Sequence, residues 1–202
     1  MKEYNIVTLP GDGIGPEVVA ETLRVLHAVA EPAGFSLKTE EHVIGGAALD
    51  QEGVPYPEST EKACKAADAV LMGAVGGPKW DHFTGAKRPE SGLLALRKSL
   101  GTFSNLRPVS VPESLASSSP LRTERVSGTD MLIVRELTGG IYFGEPRGRR
   151  ETEAGRVAEN TMVYDEGEIA RITHVAMKWA RRRRGKVTLV DKANVLVVSQ
   201  LW

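Results

Sequence analysis

The opening of the chain permits few folds. Ile6, Val7, Thr8 and Leu9 form a short β-rich run, and residues 10–16, Pro-Gly-Asp-Gly-Ile-Gly-Pro, form a glycine-rich turn. From Glu17 to Ala30 the apolar residues Val18, Leu23, Val25, Leu26 and Val29 return at helical spacing. Pro16 suits a first helical turn, where its missing N–H costs nothing. The alternation then repeats. Residues 35–43 read as a strand, 58–67 as a helix, and Ala69, Val70, Leu71 and Met72 as an apolar strand. Strands alternating with helices predict an α/β fold around a buried, at least partly parallel sheet.

Beyond residue 73 the pattern loosens. Residues 73–89 are irregular and long enough to suggest a functional loop. A helix is expected over 92–100, then a strand over 103–111 in which Pro108 demands an edge or a kink. Residues 114–120 are a Ser-rich loop, and 131–135 a strand. The polar, Gly-rich stretch 137–164 reads as a hairpin or arm, with no core of its own. An amphipathic helix follows over 166–184, with Ile169, Ile172, Val175, Ala176 and Trp179 on one side. Residues 187–190 are expected to form another strand, closed by 191–194. Ser199 is placed to cap a helix that has barely begun at Trp202. The 202 residues suffice for one large domain or two small ones.

Charge and composition narrow the functions. Lys plus Arg and Asp plus Glu are equal at 26 each, which argues against a dedicated nucleic-acid binder. Arg181, Arg182, Arg183 and Arg184 span a full helical turn and form no single stripe, so a solvated helix end is the simpler reading. No apolar stretch approaches the ~20 residues that span a bilayer, so no membrane role is expected. Cys64, alone, cannot form an internal disulfide. With no apolar leader at the start, it favours a reducing, cytoplasmic setting. His27, His42, His82 and His174 are scattered and offer no metal-ligand spacing.

Several residue groups can carry chemistry. The turn at Gly11, Gly13 and Gly15 can place a phosphate at a helix N-terminus, or it can be a tight turn. Its glycines do not fit G-x-G-x-x-G, so a Rossmann fold is not expected. Leu93 and Leu94 precede Arg97 by four and three residues, with Glu90 near the helix start. On a helix the three share a face and would suit a branched apolar group beside a carboxylate; a solvated amphipathic helix would read the same. Arg107 and Arg135 lie near strand ends, and guanidinium forks bind carboxylates bidentately. Each is otherwise an ordinary surface cation. Tyr142 sits among glycines, where a phenol can donate a proton or merely pack its ring. Lys192 follows a strand-like run, and a lysine drawn out of water can act as a base.

The order and wording of these segments resemble one family. Residues 9–18 (LPGDGIGPEV) resemble the opening of the isocitrate/isopropylmalate dehydrogenases. Residues 73–81 (GAVGGPKWD) and 88–98 (RPESGLLALRK) are similar to its isopropylmalate branch, as are 134–148 (VRELTGGIYFGEPRG) and 191–196 (DKANVL). The resemblance runs from residue 5 to the end.

The resemblance implies an isocitrate/isopropylmalate dehydrogenase-like α/β fold of two domains. The first is expected over 1–106 and the second, a dimerisation domain with its arm at about 137–164, over 107–202. Both are expected to be incomplete at the C-terminus. The implied reaction is oxidative decarboxylation of 3-isopropylmalate to 4-methyl-2-oxopentanoate with reduction of NAD, a step of leucine biosynthesis. Arg97, Arg107 and Arg135 would grip the malate carboxylates, and Leu93 and Leu94 would face the isopropyl group. Glu90 would lie between substrate and nicotinamide. Ile14 and the stretch 76–89, with Gly76, Gly77, Pro78, Lys79, Trp80, Asp81 and Pro89, would contact NAD. Tyr142 would protonate the enol. Lys192, from the partner subunit, would help remove the hydroxyl proton, with Asn194 beside it. A Mg or Mn ion is implied, its ligands expected beyond residue 202, so the chain by itself is expected to be inactive. A tartrate/malate-type decarboxylating dehydrogenase and a non-catalytic dimerisation fragment are the alternatives.

Overall fold

The computed structural model describes residues 2–202 and divides the chain into two compact units, Met1–Gly101 and Thr102–Trp202. In the first unit, β1 (Lys2–Gly11) leads into α1 (Gly15–Ala30), followed by β2 (Phe35–Glu41), α2 (Gly45–Glu52), α3 (Glu58–Ala66), β3 (Ala69–Ala74) and α4 (Pro89–Ser99). The three strands form a parallel sheet in the order β2-β1-β3, which is an α/β arrangement but not a Rossmann one. Val7 and Leu9, two apart and so on one face, pack with Ile44, Cys64 of α3 and Leu96 of α4. Burial pushes the Cys64 thiol above its ordinary 9.0, as expected of an inert packing residue. The helix α1 lies against β1 and β3.

In the second unit, β4 (Ser104–Ser110) and β5 (Asp130–Glu136) form an antiparallel pair, with the one-turn helix α5 (Thr123–Val126) between them in sequence. Pro108 lies on β4, which is an edge of this two-stranded sheet, where a missing N–H is tolerated. β6 (Gly144–Thr152) and β7 (Gly155–Thr161) make an antiparallel hairpin that is exposed along most of its length. α6 (Glu166–Arg181) starts at a complete capping box: the Asp165 carboxylate accepts the Glu168 N–H at 2.7 Å, and Glu168 Oε2 accepts the Asp165 N–H at 3.2 Å. α7 (Val197–Leu201) is a single turn.

Four local expectations change. α2, absent from the sequence reading, is a helix whose start is held by a distant carboxylate and whose own residues Gly45, Gly46, Ala47 and Ala48 show no apolar period. Residues 187–190 form no strand. They run along a groove beside β5 without pairing to it, and Val190 is 91% exposed. Ser199 lies inside α7, whose N-cap is Leu196. α6 ends at Arg181, so Arg183 and Arg184 lie past its end and both pair with Asp130, at 2.6 and 3.3 Å. The Arg183 guanidinium holds the Asp130 carboxyl below its ordinary 3.8.

Candidate active site

In the first unit the chain moves from β1 to β2 on one side, then crosses to β3 on the other. The point where direction reverses lies between the carboxyl ends of β1 and β3, and open α/β sheets bind ligands in the crevice outside such ends. The loops leaving β1 and β3 hold Ile14 and the stretch that starts at Gly76.

The glycines around this crevice are required by packing. A Cβ on Gly11 would lie 2.0 Å from the Ala74 carbonyl oxygen, and one on Gly15 2.0 Å from that of Pro10. Gly11 also has φ +71°, a left-handed value that L side chains rarely adopt. The tight-turn reading of this motif thus accounts for both residues. Ile14 is the N-cap of α1 and 58% exposed, so its side chain stands at the open side of the turn.

Asp12, which the sequence reading passed over, is 3% exposed. Its Oδ2 accepts the amides of Gly46 at 2.8 Å and Gly76 at 2.7 Å, and its Oδ1 accepts that of Ala47 at 2.7 Å. One carboxylate thus ties the β1 turn to the start of α2 and to the loop after β3. The visible signal was an acidic residue between two glycines at a strand's end, where backbone donors converge.

That loop carries Gly77, then a turn of 3-10 helix, Pro78–Trp80, and exposed Asp81. The Trp80 ring covers Gly46, where an added Cβ would lie 2.3 Å from it. Asp50 of α2 accepts the Lys79 ammonium at 2.5 Å and the Trp80 indole N–H at 3.2 Å. The hydrogen bond from Lys79 lowers the Asp50 carboxyl below its ordinary 3.8, and that from Trp80 adds to it.

Pro89 is buried at the first position of α4, and Glu90 comes close to Gly76: a Cβ there would lie 2.9 Å from Glu90 Oε1. Arg88 donates to the same carboxylate at 3.2 and 3.4 Å. Gly92 and Leu96 of α4 face inward. Glu90, Leu93, Leu94 and Arg97 fall on a separate arc of about 100°, away from Leu96. Leu93, Leu94 and Arg97 are half-buried there.

In the second unit, Asn105 pairs with Arg135 and Arg107 with Ile133. Side chains alternate across a strand, so Arg107 and Arg135 project from one face as diagonal neighbours. Arg107 donates to Asn105 Oδ1 at 2.5 Å. The Arg135 guanidinium lies 5.6 Å from the centre of the Tyr142 ring. Tyr142 ends a 3-10 turn, Gly140–Tyr142, is 49% exposed, and has its carbonyl held by Arg147.

A second unassigned carboxylate organises this loop. The Glu136 side chain is 1% exposed and accepts the amides of Thr138 at 2.9 Å and Gly139 at 2.7 Å, the Thr138 hydroxyl at 2.9 Å and Arg171 at 2.8 Å. Arg171 also donates to Thr138 Oγ1 at 2.7 Å and lies over Phe103. Tyr164 packs on Gly140; burial raises its hydroxyl above the ordinary 10.0, and the charges of Glu136 and Glu168 add to this. Arg135 and Tyr142 are therefore set by the two ends of one rigid corner. Lys192 and Asn194 stand exposed on the turn before α7, apart from this corner in sequence. Among the described residues, no group of three or more His, Cys, Asp or Glu can hold a metal ion.

The family model of isocitrate/isopropylmalate dehydrogenases matches residues 5–202. The chain belongs to this family. The 3-isopropylmalate dehydrogenase of Salinibacter ruber is 63% identical over 201 residues, which is 100% of this chain and 54% of that protein. That of Aquifex aeolicus is 56% identical over 202 residues, 100% of this chain and 56% of its own length. The chain spans about half the length of these curated relatives, matching their N-terminal portion. Among solved structures, an isocitrate dehydrogenase from Methylococcus capsulatus superposes with TM-score 0.77 at 29% identity, covering 98% of this chain and 54% of that one. A β-decarboxylating dehydrogenase from Thermococcus kodakarensis superposes with TM-score 0.68 at 31% identity, covering 98% and 51%. The fold of this family member is therefore the isocitrate/isopropylmalate dehydrogenase one.

Proposed function

We propose that this chain provides the substrate-gripping half of an NAD-dependent decarboxylating dehydrogenase acting on 3-isopropylmalate, in leucine biosynthesis. The observation that carries the reading is the arc of α4 on which Leu93, Leu94, Arg97 and Glu90 stand together, away from the core. A branched apolar group fits beside the two leucines and a carboxylate beside Arg97. Arg107 and Arg135, on one sheet face, give two further forks for a dianionic substrate.

The residues of the β3 loop suit a dinucleotide: glycines that admit close approach, a flat indole, a lysine cation, and a position at the sheet's switch point. Ile14, Gly76, Gly77, Pro78, Lys79, Trp80, Asp81, Pro89 and Glu90 form this side. When bound, NAD accepts the hydride from C2 of the substrate. Tyr142 gives its phenolic proton to the enol that remains after carbon dioxide leaves. Lys192, supplied by the partner subunit of a homodimer, takes the hydroxyl proton, with Asn194 beside it. The pairing surface is the β6–β7 hairpin, since an isolated two-stranded hairpin is at best marginally stable in water. The resident metal is Mg or Mn, and the described residues do not form a cage for it. A single buried thiol at Cys64 suits the cytoplasm.

Substrate choice tests the reading. Leu93→Ala and Leu94→Ala each remove apolar groups worth roughly 10–200-fold in discrimination per methylene-sized contact. With the chain joined to the unmatched remainder of the Salinibacter ruber relative, each variant should lose kcat/KM on 3-isopropylmalate by such a factor, relative to malate. A tartrate/malate-type enzyme would show no such loss, and unchanged discrimination in both variants would refute the assignment of the α4 arc.

A further inference from the structure

Asp12 joins the β1 turn and the loop after β3, both on the proposed nucleotide side, to the start of α2, whose Asp50 holds that loop's Lys79 and Trp80. We propose that Asp12 is a positioning residue that presets the loop 76–80 for NAD. The inference rests on the NAD reading given above.

Three observations carry it. The carboxylate is almost wholly buried and, among the described residues, accepts three backbone amides. Its Oδ2 is shared by Gly46 and Gly76, residues on two different elements, so this one atom fixes the spacing between the start of α2 and the start of the loop. Trp80 then closes over Gly46, and Asp50 of α2 holds Lys79 and the indole N–H. The loop is thus pinned at its base by Asp12 and at its tip by α2, and α2 is itself held by Asp12. A bound carboxylate does this better than a neutral group, because charge-assisted hydrogen bonds are about twice as strong as neutral ones. The glycines agree: a Cβ on Gly45 would lie 2.5 Å from Asp12 Oδ2, so the peptide that approaches the carboxylate must be bare.

The prediction uses two variants that act on the loop by different routes. In Asp12→Asn, the side-chain NH2 faces at least one backbone N–H whichever way the amide is turned, so one or two of the three bonds are lost. In Gly46→Ala the carboxylate keeps its amides, but the new methyl displaces the indole. Amide hydrogen exchange is measured on the full 202-residue chain. NAD binding and kinetics are measured on the same chain joined to the unmatched remainder of the Salinibacter ruber relative. Because displacement of a binding group by about 1 Å can cost ~10²-fold, Asp12→Asn should raise Kd and KM for NAD about 10–100-fold. KM for 3-isopropylmalate and kcat at saturating NAD should stay within about threefold. Exchange should quicken in residues 44–52 and 74–82 and remain unchanged in the second unit. Gly46→Ala should weaken NAD without quickening exchange at Gly76. Unchanged exchange over 74–82 in Asp12→Asn, or an equal rise of KM for both substrates, would overturn the positioning role. Quickened exchange with NAD affinity unaltered in both variants would instead remove the nucleotide reading of the loop, and the proposal with it.

Discussion

In this chain joined to the unmatched remainder of the Salinibacter ruber relative, Tyr142→Phe should lower kcat on 3-isopropylmalate by about 10²–10⁴-fold, the usual worth of a positioned proton donor, with little change in substrate KM. The geometry behind this is local. Tyr142 sits at the end of a tight turn, with its carbonyl held by Arg147 and its ring beside Arg135. The phenyl ring of the variant keeps that packing and removes only the hydroxyl. In the proposed reaction the hydride leaves before the enol is protonated, so rapid mixing should still show a burst of NADH of one equivalent per site, followed by slow turnover. Lys192→Met should behave differently: with no base for the hydroxyl proton, the burst itself should disappear. A Tyr142→Phe enzyme lacking the burst would place the tyrosine at the oxidation step and contradict the assignment of roles.

Arg171→Met should strongly destabilise the second unit. It removes the cationic partner of a Glu136 carboxylate whose side chain is 1% exposed, and also a hydrogen bond to Thr138. Breaking a buried pair costs about 3–5 kcal/mol; Arg171 is itself 38% exposed, so solvent screening brings the expectation to about 2–4 kcal/mol. Arg171→Lys keeps the charge but not the fork that reaches both Glu136 and Thr138, and should fall between the two. Urea unfolding followed through the second unit measures the difference. A loss below about 1 kcal/mol, the ordinary worth of a surface pair, would show that the Thr138 and Gly139 amides and the Thr138 hydroxyl hold Glu136 without the guanidinium.

The parts of the fold legible in the sequence were those set by local period. α4 was visible because Leu93, Leu94, Leu96 and Arg97 repeat at helical spacing, and the same repeat separates the core residue Leu96 from the open arc. α6 was expected from Glu166, where it begins, on the stripe of Ile169, Ile172, Val175, Ala176 and Trp179; it ends three residues earlier than expected. What escaped depends on contacts between distant residues. α2 has two glycines at its start and no apolar stripe; it exists because Asp12 receives its first amides. The run 187–190 has the composition of a strand, but composition does not supply a neighbouring strand to pair with. The same division holds at the site. Arg107 and Arg135 were each read as cations near strand ends; Arg135 is the last residue but one of β5, whereas Arg107 stands midway along β4, and their common face follows from the register of the two strands. Asp12 and Glu136 read as ordinary acidic residues in sequence, and only folding shows how many donors each one gathers.

The most direct test of the central claim joins this chain to the unmatched remainder of the Salinibacter ruber 3-isopropylmalate dehydrogenase. NADH absorbance is then followed with 3-isopropylmalate, malate or tartrate, in the presence of NAD and Mg or Mn. The expected result is turnover of 3-isopropylmalate in clear preference to the other two, with that preference reduced by Leu93→Ala and Leu94→Ala. A folded, NAD-binding fusion that prefers malate or tartrate, or that turns over none of the three, would contradict it.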